Sequence, residues 1–549
     1  MTSLTRRIAV FAMIAGNAQA ADQPALDTIP MDIPSFVEEA KAANVTHSYT
    51  GPWEHFVGGG VAALDCNGDR KPDLAIAGGT SPAQIFVNES ATGGTLKFRA
   101  QNDGLPEQTK TGTTGFYPLD VDQDGLMDLI SLRVGENLIL KGGPHCTFEK
   151  ANKAFGFDGG RAWTTAFAAT FEKDAAFPTL AFGNYVDRYA PGSPWGTCHD
   201  NVLLRPNATE NGVTYDDPIA LSPGYCALSM IFTDWNRSGE PSLRITNDRQ
   251  YYRDGEEQMW RVPPGRVPTP FRAADGWKRV QIWGMGIAEA DLDADGFPEY
   301  ALTSMGDTRL QTRDDEADEG TPSYREEAYD LGATAHRPYM GEDLKPSTGW
   351  HAQFADVNND GREDLFIAKG NVEEMPDFAA FDPDNLLLGN FDGKFVETGG
   401  YAGIGLPRRG RGGALVDLNM DGMLDLVVVN REDNVSLFRN TGGRTDAGTR
   451  PMGNWLEIEL QNGAVNATGI GATILVKSGN DTRTRKVQIG GGHASGQTGF
   501  VHVGTGVAER AEIRVQWPDG AWSQPYRVFT NNFVVIKRDA AQANYWYPE

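Results

Sequence analysis

Asp356-Val-Asn358-Asn-Asp360-Gly-Arg-Glu-Asp364, followed by Leu365, sets oxygen-bearing side chains at positions 1, 3, 5 and 9 of a tight turn. Four more stretches repeat it: Asp65-Cys-Asn67-Gly-Asp69-Arg-Lys-Pro-Asp73, Asp120-Val-Asp122-Gln-Asp124-Gly-Leu-Met-Asp128, Asp291-Leu-Asp293-Ala-Asp295-Gly-Phe-Pro-Glu299 and Asp417-Leu-Asn419-Met-Asp421-Gly-Met-Leu-Asp425. A hard cation takes such a set: several carboxylates, a carbonyl from position 7, and usually Gly at position 6 for the turn. One copy reads as a solvated acidic loop. Five copies, each flanked by apolar β-type residues, read as calcium sites, about five ions in all. The first ligands expected are Asp65, Asp120, Asp291, Asp356 and Asp417, followed by Asn67, Asp122, Asp293, Asn358 and Asn419. Asp69, Asp124, Asp295, Asp360 and Asp421 come third, and Asp73, Asp128, Glu299, Asp364 and Asp425 close the shell.

Two weaker copies fill the gaps. Asp234-Trp-Asn236-Arg-Ser238-Gly239 has lost two acids, and Phe171 to Leu180 keeps only the flanks. The loop starts then fall at 65, 120, 171, 234, 291, 356 and 417, a period of 51 to 65 residues. With strand-like flanks such as Leu74-Ala-Ile76 and Leu426-Val-Val-Val429, this period predicts an all-β fold, a seven-bladed β-propeller over 51–440. Phe-led pieces close the blades, as at Phe148 and Phe395. The same piece at Phe36, within 21–50, has no blade before it and is expected to complete the last one beside Ser436–Arg439. After a polar linker at 441–452, strand-like runs from Trp455 to Lys537 predict a small β-sandwich-like domain over 453–538 and a tail at 539–549.

The chain has 549 residues and a formal charge of −25, an acidity that argues against nucleic-acid binding. Arg6-Arg7, an apolar run to Gly16 and Ala18-Gln-Ala20 read as a signal peptide over 1–20, and no second run is long enough for a transmembrane segment. A periplasmic or secreted product is expected, where thiols oxidise. Of the three pairings open to the four cysteines, Cys198–Cys226 with Cys66–Cys146 is favoured over a free thiol at Cys66.

Upstream of the acidic loops stand His55, Arg161, Trp163, Trp283, Trp350, His351, Arg409 and Arg411. If the blades superpose, these converge on one face and suit an anionic or carbohydrate ligand, or a surface protein. The alternative is that the tryptophans fill gaps between blades. An acidic excursion at 307–346 reads as a lid, a partner loop or a solvated segment. No nucleophile motif frames the histidines. Ligand binding or adhesion without catalysis is therefore the leading function. The rival is a propeller enzyme, of lyase, hydrolase or cyclase type, working in a funnel lined by Arg, His and Trp.

The repeats resemble FG-GAP/VCBS repeats of the kind found in integrin α-chain propellers. Gly469-Ile-Gly-Ala472, Gly490-Gly-Gly-His-Ala-Ser-Gly-Gln497, His502-Val-Gly-Thr-Gly506 and Val515-Gln-Trp-Pro-Asp-Gly520 resemble the ASPIC/UnbV domain. The combination is similar to bacterial relatives of the cartilage acidic protein family, and it implies a calcium-binding propeller with a β cap and no general catalytic activity. The chain departs from that pattern around His493-Ala494 and at Ser495-Gly-Gln497.

Overall fold

The computed structural model describes residues 32–549 apart from 211, 250–252, 319 and 335–344. The signal segment and His336 lie outside these residues. Seven antiparallel sheets follow one another, six with four strands in chain order and the seventh with three, completed by a strand from the N-terminal segment. Their first strands are Val61–Leu64, Thr113–Leu119, Thr164–Thr170, Ala227–Thr233, Gly284–Ala290, Gly349–Ala355 and Gly410–Val416. These strands are buried almost throughout, which is why they read as short apolar or small-residue runs rather than as alternating ones. The acidic loops join first strand to second in every complete copy.

Neighbouring sheets are stitched near the axis. Thr114 Oγ1 donates to Thr164 O (2.6 Å), Thr165 Oγ1 to Ala227 O (2.8 Å), Thr246 Oγ1 to Met285 O (2.9 Å) and Thr303 Oγ1 to Trp350 O (2.5 Å). The Leu415 amide donates to Gln353 Oε1 (3.0 Å), the Gly412 amide to Gly59 O (3.0 Å) and the Gly60 amide to Thr114 O (3.1 Å). The last sheet thus meets the first. Its outer strand is Pro34–Glu38, paired antiparallel with Ser436–Thr445 through Phe36↔Asn440 and Val37↔Arg439.

Two further four-stranded sheets lie beyond residue 453. One is built on Asn454–Gln461 beside Asn532–Lys537, the other on Thr473–Ser478 beside Arg510–Gln516. Leu456, Ile458, Ile474, Val476, Ile513, Val515, Val534 and Ile536 form the shared core.

Of the acidic excursion at 307–346, the part at 309–326 is a hairpin rather than a lid, and 319 and 335–344 lie outside the described residues. Arg309–Arg313 and Tyr324–Glu326 are the third and fourth strands of sheet five, and the acid run is the turn between them. Leu310 is buried on one face and Tyr324, opposite Arg313, on the other, while Lys278 (2.7 Å from Asp314) and Arg325 (2.6 Å from Asp315) balance the acids.

Both disulfides form, Cys66–Cys146 and Cys198–Cys226. The first ties the loop of sheet one to sheet two across 80 residues. Cutting it with a Cys66→Ala/Cys146→Ala pair is expected to cost about 4 kcal/mol by loop-closure entropy. A denaturant titration of the double variant with an unchanged midpoint would refute this.

Candidate functional site

Each acidic loop is shaped by its own backbone. Positions 4 and 6 take left-handed conformations, as at Asn359 (φ 59°) and Gly361 (φ 88°), or Met420 (φ 56°) and Gly422 (φ 81°). Arg70 takes position 6 of the first loop at φ 65°, where glycine is the unstrained choice. The position-1 carboxylate accepts the amides this shape presents: Asp356 from Asp360 (3.0 Å) and Gly361 (2.7 Å), Asp417 from Asp421 (3.1 Å) and Gly422 (2.7 Å). The acid-poor copies keep the turn, with Asp174 and Arg237 left-handed and the Gly239 amide on Asp234 Oδ2 (3.0 Å).

The ninth position has a second task. Asp364 accepts the Val357 amide (2.8 Å) on one oxygen and the Gly389 amide (2.9 Å) on the other. Asp73, Asp128 and Asp425 do the same with Cys66 and Asn88, Val121 and Gly142, and Leu418 and Asn440. These carboxylates bracket the turn to the third strand. Both oxygens carry an N–H, so position 9 has only its remaining lone pairs for a cation.

The donor set fits a divalent cation unevenly. Asp120, Asp122 and Asp128 converge, with one oxygen from each within 4.8 Å of the others, as do Asp291, Asp293 and Asp295. Asn419 Oδ1 is buried without a partner at position 3 of its loop. Burial above all, reinforced by neighbouring carboxylates, pushes Asp73 and Asp128 up to about 7 and Glu299 up to about 9. Asp356 and Asp417 rise well above the usual range for the same reasons. A bound cation would offset that cost of ionisation. At the second loop, however, Lys141 from the third strand reaches in and pairs with Asp122 and, at 2.8 Å, with Asp124. An ammonium there competes with any metal. Lys141→Met is expected to tighten calcium at this loop about tenfold or more, since removal of one nearby positive charge is worth more than 1 kcal/mol. Calorimetric titration would detect the gain, and an unchanged or weaker affinity would refute it.

The acidic loops of sheets one, two, six and seven face the C-terminal domain. Arg70 pairs with Glu459 (2.7 Å), Gln123 Oε1 accepts the Asn466 amide (2.5 Å), and Arg485 pairs with Glu363. His502 bridges Glu457 (2.8 Å) and Asn359 (2.7 Å).

From this domain residues 489–498 descend into the axis and touch all seven sheets. Gly496 and Gln497 pair in parallel with Ala62 and Ala63, and Phe116 donates to Ala494 O (3.2 Å). Ala169 donates to Ile489 O (3.0 Å), while Gly491 and Gly492 donate to Met230 O and Ile287 O (2.7 Å each). The His493 amide donates to His351 Nδ1 (3.1 Å), and Ser495 Oγ lies against Gly412. His493 is fully buried. Its Nε2 accepts the Gly58 amide (3.1 Å) and its Nδ1–H donates to Leu228 O (3.2 Å), so the ring is neutral and its tautomer fixed. Burial and the nearby Arg411 push it down to about 3.

The plug corrects the expected ligand funnel. Arg411 is buried, and its donors are spent on the carbonyls of Phe56 (3.0 Å), Gly410 (2.8 Å), Gly370 (3.5 Å), Asn371 (3.2 Å) and Val372 (2.8 Å). Its guanidinium lies 4.2 Å from the ring centre of Trp350, whose Nε1 donates to Gly370 O (2.7 Å). Trp163 is buried between Trp53 and Tyr185, at 5.2 and 4.8 Å. His55 is buried too, and burial pushes it down to about 4. His351 lies beneath Gly492, and Arg409 pairs with Glu373 (3.2 Å) and Glu432 (2.7 Å). These six are the packing of the axis and its mouth, as filler tryptophans would be. Only Arg161 and Trp283 are exposed. The glycines Gly60, Gly115 and Gly412 were the signal for the plug: a methyl at any of them would overlap Ala494 or Ser495.

By architecture and by matched segments this is an all-β, propeller-type repeat protein with a distinct C-terminal module. Residues 65–131 and 356–428 match the FG-GAP-like repeat, and residues 462–543 match ASPIC and UnbV. A stretch of 118 residues is 31% identical to cartilage acidic protein 1 of Mus musculus, and equally to that of Xenopus tropicalis. It covers 20% of this chain and only 17% of those relatives. Among solved structures, BBS1N in complex with ARL6DN aligns over 76% of this chain and 99% of its own, at 9% identity and a TM-score of 0.41. An ancestral GH74 enzyme aligns over 85% of this chain and 62% of its own, at 9% identity and a TM-score of 0.39.

Proposed function

We propose that this chain is an exported, calcium-loaded binding protein, a seven-bladed propeller over 51–440 closed by its N-terminal strand and capped by the module at 453–538. It acts in ligand binding or adhesion and performs no chemistry of its own. The filled axis carries this reading, because the chain's own loop stands where a funnel enzyme would hold substrate. Two disulfides favour an oxidising compartment, the periplasm or beyond it.

With one face covered by the cap, the ligand surface is the opposite face. There Arg161 and Arg188 stand over Tyr189 (6.0 and 5.1 Å), in the same excursion as exposed Trp195, and exposed Trp283 enters the first strand of sheet five. Aromatic faces and guanidinium forks suit a carbohydrate carrying an anionic group. An array of sialylated, sulfated and neutral glycans probed with calcium-loaded full-length protein tests this. Binding is expected to anionic glycans and to fall at least about tenfold in Arg161→Ala/Trp283→Ala, the loss of about 1.4 kcal/mol. Absence of any glycan binding, or binding indifferent to the double variant, would overturn the assignment.

The enzyme reading has one foothold, a cavity of ≈ 290 Å³ between the ring and the cap, lined by His351 and Glu289 among others. His351 stands on sheet six and Glu289 on sheet five, and His351 Nε2 and Glu289 Oε2 are both buried there without a hydrogen-bond partner.

A further inference from the structure

The acidic loops fall into two kinds by burial. At position 5, Asp69, Asp124 and Asp295 of the first, second and fifth loops are exposed to solvent, whereas Asp360 and Asp421 of the sixth and seventh are half-buried. In the sixth and seventh, Asp356, Asn358 and Asn419 are each only 1% exposed, and Asp417 4%. The ring covers position 3, where Asn358 Nδ2 donates to Asp32 O (3.1 Å) and Asn419 Nδ2 to Gly94 O (3.0 Å), and the C-terminal domain covers the rest of each turn. Gly453 and Gly506 donate to the Asn358 and Asn359 carbonyls (3.3 and 3.0 Å), and Gly504 lies so close to the Asp356 carboxylate that a methyl would overlap it. Trp455 covers Gly422 in the same way, and Asn359 Nδ2 donates to Gly422 O (2.9 Å), joining the two loops under one lid. Beneath it Asn419 Oδ1, an acceptor with no partner, stands in a loop whose Asp417 and Asp421 both lie nearby.

We propose that loops 356–364 and 417–425 are occluded divalent-cation sites, sealed by the C-terminal domain, while the remaining acidic loops exchange cation openly with solvent. The proposal rests on the calcium reading and adds to it a kinetic partition. An ion in either sealed loop leaves only when Trp455, His502 and the glycine contacts lift away. That lifting is opposed by the backbone bonds of residues 489–498 along the axis. By linkage, the ion in turn holds the domain down.

The test uses full-length protein loaded with radioactive calcium, then passed into excess chelator with bound label followed over time. Two phases are expected. About two ions per chain should leave about 100-fold or more slowly than the rest, the factor imposed by a domain that is open about 1% of the time. Asp356→Asn should remove label from the slow phase and Asp291→Asn from the fast one. Trp455→Ala/His502→Ala should convert slow ions to fast. Release of all label in one fast phase would overturn the occlusion while leaving calcium binding intact. Failure to retain any calcium would sink the calcium reading itself. A slow phase unmoved by both Asp356→Asn and the lid variant would also refute the assignment.

Discussion

Calcium-depleted protein is expected to lose stability steadily as pH rises from about 5 to about 9, the reverse of the usual carboxylate behaviour. Burial raises Asp120 to about 6, Asp73 and Asp128 to about 7 and Glu299 to about 9. A raised carboxyl pKa means that the folded state binds more protons than the unfolded state between the two values. Stability therefore falls with pH across that window. The contribution is whole below the unfolded value near 4 and is lost as pH passes through 6, 7 and 9 in turn. Calcium replaces the missing protons, so the loaded protein should show a flat or rising profile over the same range. At pH 8 chelation should lower the melting temperature by several degrees or more, since each site held at 100 times its Kd is worth about 2.7 kcal/mol. Thermal melts at pH 5, 6.5 and 8, with calcium and with excess chelator, measure this. Parallel profiles in the two conditions would contradict it.

His493→Leu is expected to be among the most damaging single changes in the chain. Leucine fills much of the volume but leaves the Gly58 amide and the Leu228 carbonyl buried without partners. Each such orphan costs about 1–3 kcal/mol, so about 2–6 kcal/mol in all. Gly60→Ala should damage the protein through the same loop. Its methyl would overlap the Ala494 carbonyl, which is already bonded to Phe116 and has no room to retreat. Both variants should lower the denaturation midpoint of the ring and the cap together, because the loop belongs to one and packs in the other. Chemical denaturation followed by intrinsic fluorescence would reveal this. A His493→Leu midpoint within 0.5 kcal/mol of wild type would mean that the axis does not depend on the loop.

The repeat was legible because its turn is written in residues with few other uses: carboxylates at fixed spacing, a left-handed glycine, and apolar strands on both sides. The strands of each sheet followed from that frame. The acid run from Asp314 hid a hairpin because its charge outweighed the short strands around it, Arg309–Arg313 and Tyr324–Glu326. The axis was misread for a different reason. Arg411, Trp163 and Trp350 look alike whether they wait for a ligand or fill a core. What separates the two is the supply of carbonyl acceptors around Arg411, which comes from residues 40 and 355 positions away in the chain. The plug itself announced its presence only through small residues at the entry of the first strands. Lys141 belongs to another strand than the acids it meets, so the loop motif alone could not include it.

The pairing of Pro34–Glu38 with Ser436–Thr445 has a consequence for biosynthesis. Glu39, in the turn after that strand, meets Arg439, which is made 400 residues later. An emerging chain can assemble its sheets one after another, but the earliest strand stays unpaired until the last sheet arrives, and the axle at 489–498 comes later still. The ring thus cannot lock until residues 489–498 have been made, and for that whole interval a bare strand edge waits for its partner, the moment at which a holding chaperone would matter most.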